Sequence, residues 1–348
     1  MELFYTKNIV FKKNCYPVLE ANDMNFTFGV LTYNSEKFVN ETLASIKYQV
    51  ITYGKGINIS LIISDDSSCD HTFEVVQKWV SNNKDIFQDV IILKNERNQG
   101  TVANYNKLFQ LIKTPYFHII AGDDLYADTS IFEICKQLDS GVCISSFPIS
   151  LSKDHKLFIE KHRLVRNIHS HLSEPINKGK MIKYIMYGSN VHTPSTLFLG
   201  EEYDQQVKDY VKKFRLFEDD PKWYKFAQKG VTYHFIFTPF IIYRYHDNSI
   251  AHRRGKTLTV FDEDKVKLIN DYLKDDNCSL LMKVYLCSEK NKIAKKRHVS
   301  LYEVWRELNY LFYYIVELAS GKYESYYKFL EKDLKKNRNY YRNLTNNL

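Results

Sequence analysis

Short apolar runs alternate with helix-like patterns over the first 120 residues, and this alternation limits the fold more than any other feature. The apolar runs cover residues 26–31, 57–63, 90–93 and 116–120. Between them, apolar residues recur every three or four positions, as they do on one face of an amphipathic helix. Strand–helix–strand units of this kind build right-handed crossovers and a mostly parallel sheet. The sequence therefore predicts an α/β fold.

Polar clusters directly follow three of the four predicted strands. The clusters are Thr32-Tyr33-Asn34, Asp65-Asp66 and Asp123-Asp124. In parallel sheets, ligands bind at the carboxyl ends of the strands, where such clusters meet. Carboxylates scattered at random would not favour strand ends, so a ligand site is predicted at this edge of the sheet.

Five motifs occur in an order and at spacings that resemble the family-two glycosyltransferases, above all the bacterial enzymes that build surface polysaccharides such as lipopolysaccharide or capsule. The motifs are Phe28-Gly-Val-Leu-Thr-Tyr-Asn34, Ser64-Asp-Asp-Ser-Ser68, Asn98-Gln-Gly100 with Asn106, Ala121-Gly-Asp-Asp124 and Glu218-Asp-Asp220. Double acids are common, so each motif alone is weak and only the ordered set is specific. The resemblance covers about residues 26–250. It implies a GT-A, Rossmann-like sheet flanked by helices, and inverting transfer from a nucleotide-diphospho-sugar to a hydroxyl of a lipid-linked glycan.

Asp123 and Asp124 resemble the metal-binding DxD motif of that family. A divalent cation, Mn²⁺ or Mg²⁺, held by one or two carboxylates would neutralise the charge of a departing diphosphate. Ala121 and Gly122 stand where the family often has another Asp, which leaves fewer ligands. Asp124 is predicted as the metal ligand and Asp123 as a ribose or metal contact, the alternative being a solvated acidic turn. His246, in a motif that resembles a late family motif near the diphosphate, could contact metal or phosphate or be an ordinary histidine.

The resemblance also implies residues for the nucleotide. These predicted nucleotide-sugar contacts are Thr32, Tyr33, Asn34, Asp65, Asn98, Asn106 and Asp123. Asp65 matches the residue that hydrogen-bonds the base, and Tyr33 offers a flat face to it, although simple packing explains Tyr33 nearly as well. Asp66 could equally shape its own turn, and Gly100 is interpreted as structural.

Asp219 is predicted to be the catalytic base, with Glu218 beside it. The resemblance implies that the Asp of this pair removes the proton of the acceptor hydroxyl. A base at a helix N-terminus has a lowered pKa, and a neighbouring carboxylate opposes that shift. Asp220 makes the choice ambiguous, and a helix start enriched in acids is a common structural feature that needs no catalysis.

The C-terminal part of the chain is helical in pattern and basic. Residues 278–348 hold 14 Lys and Arg against 7 Asp and Glu, so this part accounts for most of the net charge of +8. An anionic membrane surface fits such a segment as well as nucleic acid does, and no nucleic-acid recognition motif is present. An apolar helix face through 301–318 either packs on the catalytic domain or docks at a membrane. Packing is favoured for this helix, and docking for the basic segment after it.

The remaining features concern location and domains. Met1–Val10 shows no secretory signal pattern, and the six cysteines form no CxxC pair, as expected for reduced thiols in a cytoplasmic protein that is peripheral on the inner face of the cell membrane. A zinc role for His169 and His171 lacks further ligands. The predicted division is an N-terminal extension over 1–25, a catalytic domain over 26–255 and a helical, basic region over 256–348.

Two other functions remain open from the sequence. A sugar nucleotidyltransferase would share the sheet but should have a Gly-rich phosphate loop after the first strand, and Leu31-Thr32-Tyr33-Asn34 is not one. A non-catalytic nucleotide-sugar- or glycan-binding protein is the other alternative if Asp219 is misplaced. The sequence alone predicts neither the sugar, nor the acceptor, nor the oligomeric state, nor does it exclude a retaining transferase on the same fold.

Overall fold

Four parallel strands form the central sheet of the computed structural model, which describes residues 24–160, 178–186, 191–246, 259–295, 301–319 and 321–348. The strands are β1 (Asn25–Thr32), β2 (Asn58–Asp65), β3 (Asp89–Lys94) and β4 (Tyr116–Ala121), in the order β3-β2-β1-β4. The helices that follow the first three are α1 (Val39–Tyr53), α2 (Thr72–Asn83) and α3 (Thr101–Phe109). This arrangement confirms the predicted mostly parallel α/β sheet.

The register of the sheet brings the predicted polar clusters to one edge. Thr32 at the end of β1 pairs with Asp65 at the end of β2, and Leu31 pairs with Ala121 at the end of β4. The strands hold their places because alternate side chains of β1, such as Phe26 and Phe28, are fully buried against the helices.

Among the described residues, seven shorter strands follow β4. They are β5 (Leu125–Tyr126), β6 (Val142–Ser145), β7 (Ile149–Leu151), β8 (Leu157–Phe158), β9 (Thr196–Leu197), β10 (Thr232–Phe235) and β11 (Ile241–Arg244). They form two sheets, ordered β10-β6-β9 and β5-β11-β7-β8. The irregular sequence over residues 155–178 predicts a long loop, and this prediction is wrong at β8, which pairs with β7. Most of the stretch, with His169 and His171, lies outside the described residues.

The remaining described helices surround these sheets and extend to the C-terminus. They are α4 (Ile131–Cys135), α5 (Lys178–Met186), α6 (Gln205–Val211), α7 (Asp219–Lys229), α8 (Val260–Tyr272), α9 (Leu280–Lys295), α10 (Leu301–Ala319) and α11 (Lys322–Asn346). Helix α7 begins at Asp219, as the acidic helix start at Glu218-Asp219-Asp220 predicts, and is capped by Gly230, which has a left-handed backbone (φ 92°).

The C-terminal helices share hydrophobic cores with the sheets. Leu268 of α8 belongs to the same buried cluster as Trp223 of α7, and Leu330 of α11 belongs to that of Ile149 in β7. The predicted boundary at residue 255 stays a prediction, but these contacts show that the helical region helps to complete the catalytic fold. Among the described helices, none is long and apolar enough to cross a membrane.

Helix α10 departs from the expectation of packing. Its apolar residues Leu301, Val304, Leu308, Leu311, Phe312 and Ile315 are exposed. The prediction that this apolar face packs on the catalytic domain is therefore wrong for these side chains. The reason is that α10 is held from other sides. The Trp305 ring contacts that of Tyr285 in α9, with 5.3 Å between the ring centroids, and Tyr314 packs against the buried cluster that includes Leu330 of α11.

Candidate active site

A cleft of about 1200 Å³ opens at the carboxyl edge of the central sheet. The strand ends, the start of α7, the end of β11 and the start of α8 surround it. It brings together nine of the predicted site residues, which are Thr32, Tyr33, Asn34, Asn98, Asp123, Asp124, Glu218, Asp219 and His246. Asp65 and Asn106 are absent from its lining. The cleft is therefore the place where the separate motifs of the sequence meet.

The two carboxylates of the Asp123-Asp124 turn face different surroundings. Asp124 is buried, and its Oδ1 accepts a hydrogen bond from the backbone N–H of Arg244 at 2.9 Å. Its backbone carbonyl accepts from the hydroxyl of Thr42 at 2.7 Å. Asp123 is partly exposed, and its Oδ2 lies 2.8 Å from Nε2 of His246. Asp123 is therefore the more accessible of the two carboxylates, whereas Asp124, which also lines the cleft, holds the turn. The predicted role of Asp124 as metal ligand stays a prediction.

Asp123 and His246 fit a divalent cation. Two ligand atoms on neighbouring corners of an octahedral ion, with bonds of about 2.1 Å, lie about 3 Å apart. Nδ1 of His246 is buried and without a hydrogen-bond partner in the described part of the chain, and the ring packs beside that of Phe38 with 4.8 Å between the ring centroids. No group of three or more metal-ligating side chains exists among the described residues. The protein would therefore supply two ligands and leave other positions to phosphate and water.

Arg244 ties this turn to helix α1. Its Nη2 lies 2.6 Å from Oε2 of Glu41, and its Nε donates to the backbone carbonyl of Asp123 at 2.8 Å. The guanidinium also lies over the ring of Phe38, 4.9 Å from the centroid. Arg244 has no role predicted from the sequence, although it stands two residues before His246 in the same motif.

The two carboxylates after β2 also divide their roles. Asp65 is fully buried, and its oxygens accept hydrogen bonds from the Thr32 hydroxyl at 2.9 Å and from the Ser68 N–H and hydroxyl. Asp66 lines the cleft and accepts from the backbone N–H groups of Gln99 and Gly100, each at 2.9 Å. The predicted base contact of Asp65 stays a prediction, but its carboxylate is already occupied by three protein donors.

Gly100 is needed for this loop. Its φ of +92° is in the left-handed region, and an added Cβ would lie 2.8 Å from the backbone oxygen of Arg215. This geometry agrees with the structural role that the sequence indicated.

The other predicted nucleotide residues differ in what they offer a ligand. Tyr33 is 44% exposed on the wall of the cleft, so its ring is available for stacking. Asn34 has a positive φ of 52°, and its side-chain oxygen accepts from the N–H of Cys69, which makes it a turn residue as well. Asn106 is buried between the Val102 carbonyl and the Tyr203 hydroxyl. Its side chain therefore supports α3 and does not meet the cleft.

The three acids at the start of α7 are also separated by the fold. Glu218 and Asp219 line the cleft, and Asp220 does not. Glu218 is buried, with its Oε2 at 3.0 Å from Nζ of Lys222. Burial raises the pKa of Glu218, the nearby charge of Asp219 raises it further, and Lys222 opposes both. Asp219 is half-buried, so it is the more accessible carboxylate of this pair.

Lys222 is the second residue that the sequence analysis missed. It is 1% exposed and lies over the rings of Tyr105 and Trp223, 4.7 and 4.5 Å from their centroids. A buried lysine is retained when a carboxylate and aromatic faces compensate its charge. Its spacing of four residues from Glu218 on one helix was a signal of the pair.

These features define a GT-A glycosyltransferase. They are a parallel sheet with a nucleotide-sized cleft at its carboxyl edge, an acidic turn at the end of one strand and a carboxylate pair at the start of a helix. The chain belongs to glycosyl transferase family 2, because the sequence pattern of that family matches residues 27–200, half of the chain.

Curated relatives agree with this assignment. The chain is 26% identical over 198 residues to the processive diacylglycerol beta-glycosyltransferase of Mycoplasma genitalium, a match that spans 55% of each protein. It is 25% identical over 230 residues to WfaP of Escherichia coli, named UDP-Glc:alpha-D-GlcNAc-diphosphoundecaprenol beta-1,3-glucosyltransferase, which covers 66% of this chain and 80% of WfaP.

Solved structures show the same fold. TarS of S. aureus in complex with UDP-GlcNAc superposes with a TM-score of 0.51 at 15% identity, covering 90% of each chain. The mannosyltransferase PcManGT of Pyrobaculum calidifontis, in complex with GDP-Man and Mn²⁺, gives the same TM-score and identity and covers 90% of this chain and 85% of that one.

Proposed function

We propose that this protein transfers a sugar, with inversion, from a nucleotide-diphospho-sugar to a hydroxyl of a lipid-linked glycan during surface-polysaccharide synthesis. The observation that carries the proposal is the single cleft onto which Asp123, His246 and Asp219 all face, although they lie as much as 123 residues apart in sequence. Sugar transfer needs one end of such a site for the diphosphate of the donor and the other end for the acceptor hydroxyl.

Asp123 and His246 are the proposed holders of a divalent metal, Mn²⁺ or Mg²⁺. When bound, the ion supplies positive charge that stabilises the departing nucleoside diphosphate. The Mn²⁺ complex of PcManGT supports the choice of metal. Tyr33, Asn98 and Asp66 then face the nucleotide, with Tyr33 presenting its exposed ring and Asp66 fixing the loop that carries Asn98.

Asp219 is the proposed base. It accepts the proton of the acceptor hydroxyl while that oxygen forms a bond to the anomeric carbon and the bond from that carbon to the phosphate oxygen breaks. The electron pair of the broken bond leaves with the diphosphate. Glu218 cannot take this role as readily, because it is buried and already bound to Lys222.

The names of two relatives and the charge of α11 support the lipid-linked acceptor and the membrane location. The name of WfaP includes a diphosphoundecaprenol acceptor, and that of the Mycoplasma enzyme includes diacylglycerol. Helix α11 exposes Lys328, Lys332 and Lys335 on the side away from its buried face. We therefore propose that α11 contacts anionic headgroups at the inner face of the cell membrane, which would hold the enzyme where such acceptors are.

Calorimetry of the purified protein with UDP- and GDP-sugars, with Mn²⁺ or with chelator, tests the donor site. We expect binding that weakens at least tenfold with chelator and in Asp123→Ala, while Asp219→Asn keeps its donor affinity. Turnover with the donor that binds should fall by about two orders of magnitude or more in Asp219→Asn, the usual contribution of a positioned base. Asp220→Asn is the matched control and should retain activity. Equal donor affinity without metal, or full activity of Asp219→Asn, would overturn the corresponding role.

A further inference from the structure

Helix α10 leaves an apolar surface uncovered on the outside of the molecule. The α10 face comprises Leu301, Val304, Leu308, Leu311, Phe312, Ile315 and Val316. Leu308 and Phe312, near its middle, are 60% and 61% exposed. All seven side chains lie on one side of the helix, because they recur at intervals of three and four residues.

Exposed apolar side chains also occur on α9. Leu280 and Leu281, at its start, are 81% and 54% exposed, and Val284 is 49% exposed. A groove of about 460 Å³ lies beside Leu301 and is otherwise lined by α9, mostly by polar and charged side chains such as Lys283, Asn291 and Lys292. The α10 face therefore has apolar neighbours on α9 as well as a polar groove at its first turn.

The size of this surface exceeds what an isolated protein usually exposes. The exposed fractions on α10 correspond to on the order of 700 Å² of accessible area. The largest apolar patch of a typical monomer is about 300–600 Å². A stable interface buries about 800 Å² on each partner, which the α10 face and the start of α9 provide together.

We propose that the α10 face pairs with the same face of a second copy of this chain to form a dimer. Residues Leu301, Val304, Leu308, Leu311 and Ile315 follow the 3-4 spacing of a coiled-coil seam. A helix with such a seam is complementary to itself, as a twofold interface requires.

The charges around the α10 face favour a second copy over a lipid surface. Helix α10 has three glutamates and one arginine, whereas α9 has four lysines and one glutamate. Lys292 of α9 already pairs with Glu303 of α10 within one chain. Across a twofold axis, acidic α10 of one copy meets basic α9 of the other. A helix that lies in a membrane interface is instead rich in Lys and Arg on its polar side.

Sedimentation equilibrium of the full chain, at protein concentrations from 1 to 50 µM (roughly the range over which interfaces of this size dissociate), tests the dimer. We expect the wild type to have twice the chain mass at the upper end, and Leu308→Glu with Ile315→Glu to have the mass of one chain. Both substituted side chains are exposed in the single chain, so the circular dichroism of the variant should show unchanged helix content. Ile51→Glu is the matched control, because Ile51 is 62% exposed on α1, away from α9 and α10.

A wild type that stays monomeric over this range would overturn the proposal, as would a double variant that stays dimeric. Flotation with neutral phosphatidylcholine vesicles tests whether the α10 face instead contacts a lipid surface. A monomeric wild type that floats, together with a double variant that does not, would assign the α10 face to lipid.

Discussion

Replacing Arg244 by methionine tests how the acidic turn is held in place. The change keeps much of the side-chain volume and removes three interactions, which are the 2.6 Å ion pair with Glu41, the bond to the Asp123 carbonyl and the contact with Phe38. Arg244 is 4% exposed, so the carboxylate of Glu41 loses its cationic partner in a site with little water, although it keeps the hydrogen bond from the Tyr341 hydroxyl. Breaking a buried pair of this kind costs about 3–5 kcal/mol of unfolding free energy.

Urea unfolding followed by circular dichroism measures this loss, and in a thermal scan the melting temperature should fall by about 4–7 °C. Donor affinity should fall as well, because Asp123 and His246 are both connected to Arg244 through the backbone. Glu41→Gln closes a double-mutant cycle, in which we expect a coupling energy of about 1–3 kcal/mol. Arg342→Met, at an exposed position of α11, is the control and should change stability by less than about 0.5 kcal/mol. An Arg244→Met protein with wild-type stability, or a coupling energy near zero, would refute this account of the turn.

Three further predictions follow from the site and from α11. Burial raises the pKa of Glu218 from 4.5 to about 8, so its contribution to stability is full below pH 4.5 and is lost as the pH rises through 8. The urea midpoint should therefore fall less between pH 6 and 9 in Glu218→Gln than in the wild type, and an equal fall in both proteins would contradict this. Asp66→Ala removes the acceptor of the Gln99 and Gly100 N–H groups, so we expect the free energy of unfolding to fall by about 3 kcal/mol and calorimetry to show weaker donor binding. Unchanged stability and affinity would show that the loop does not depend on Asp66. The wild type should float with anionic vesicles at low salt and be released at high salt, and Lys332→Glu with Lys335→Glu should abolish this flotation. A double variant that floats as well as the wild type would contradict a membrane contact of α11.

The sequence by itself determined the central sheet and the position of the site. The strands β1 to β4 lie within two residues of their predicted bounds, and the helix at Asp219 begins where predicted. Such elements are readable because periodic burial of apolar side chains is a local pattern, and because a polar cluster after a buried strand can only lie at the sheet edge.

The sequence could not determine which of two adjacent acids is the more accessible. Neighbouring side chains at a strand end or in a turn point to different sides, and the choice depends on residues that are distant in the chain. Asp124 is buried and accepts a hydrogen bond from the backbone of Arg244, 120 residues later, whereas Asp123 is partly exposed. Likewise, the hydroxyls of Thr32 and Ser68 donate hydrogen bonds to the carboxylate of Asp65, whereas Asp66 lines the cleft.

The surfaces of α10 and α11 were also decided only by tertiary structure. Both helices have an apolar and a polar side in the sequence, and either apolar side could have packed on the sheets. Leu330 and Leu334 of α11 fill a core beside β7 and β11, so this basic helix completes the fold. The apolar side of α10 remains exposed because α9 and α11 contact the helix from other directions. This outcome depends on how three helices pack together, which the spacing of apolar residues along one helix does not predict.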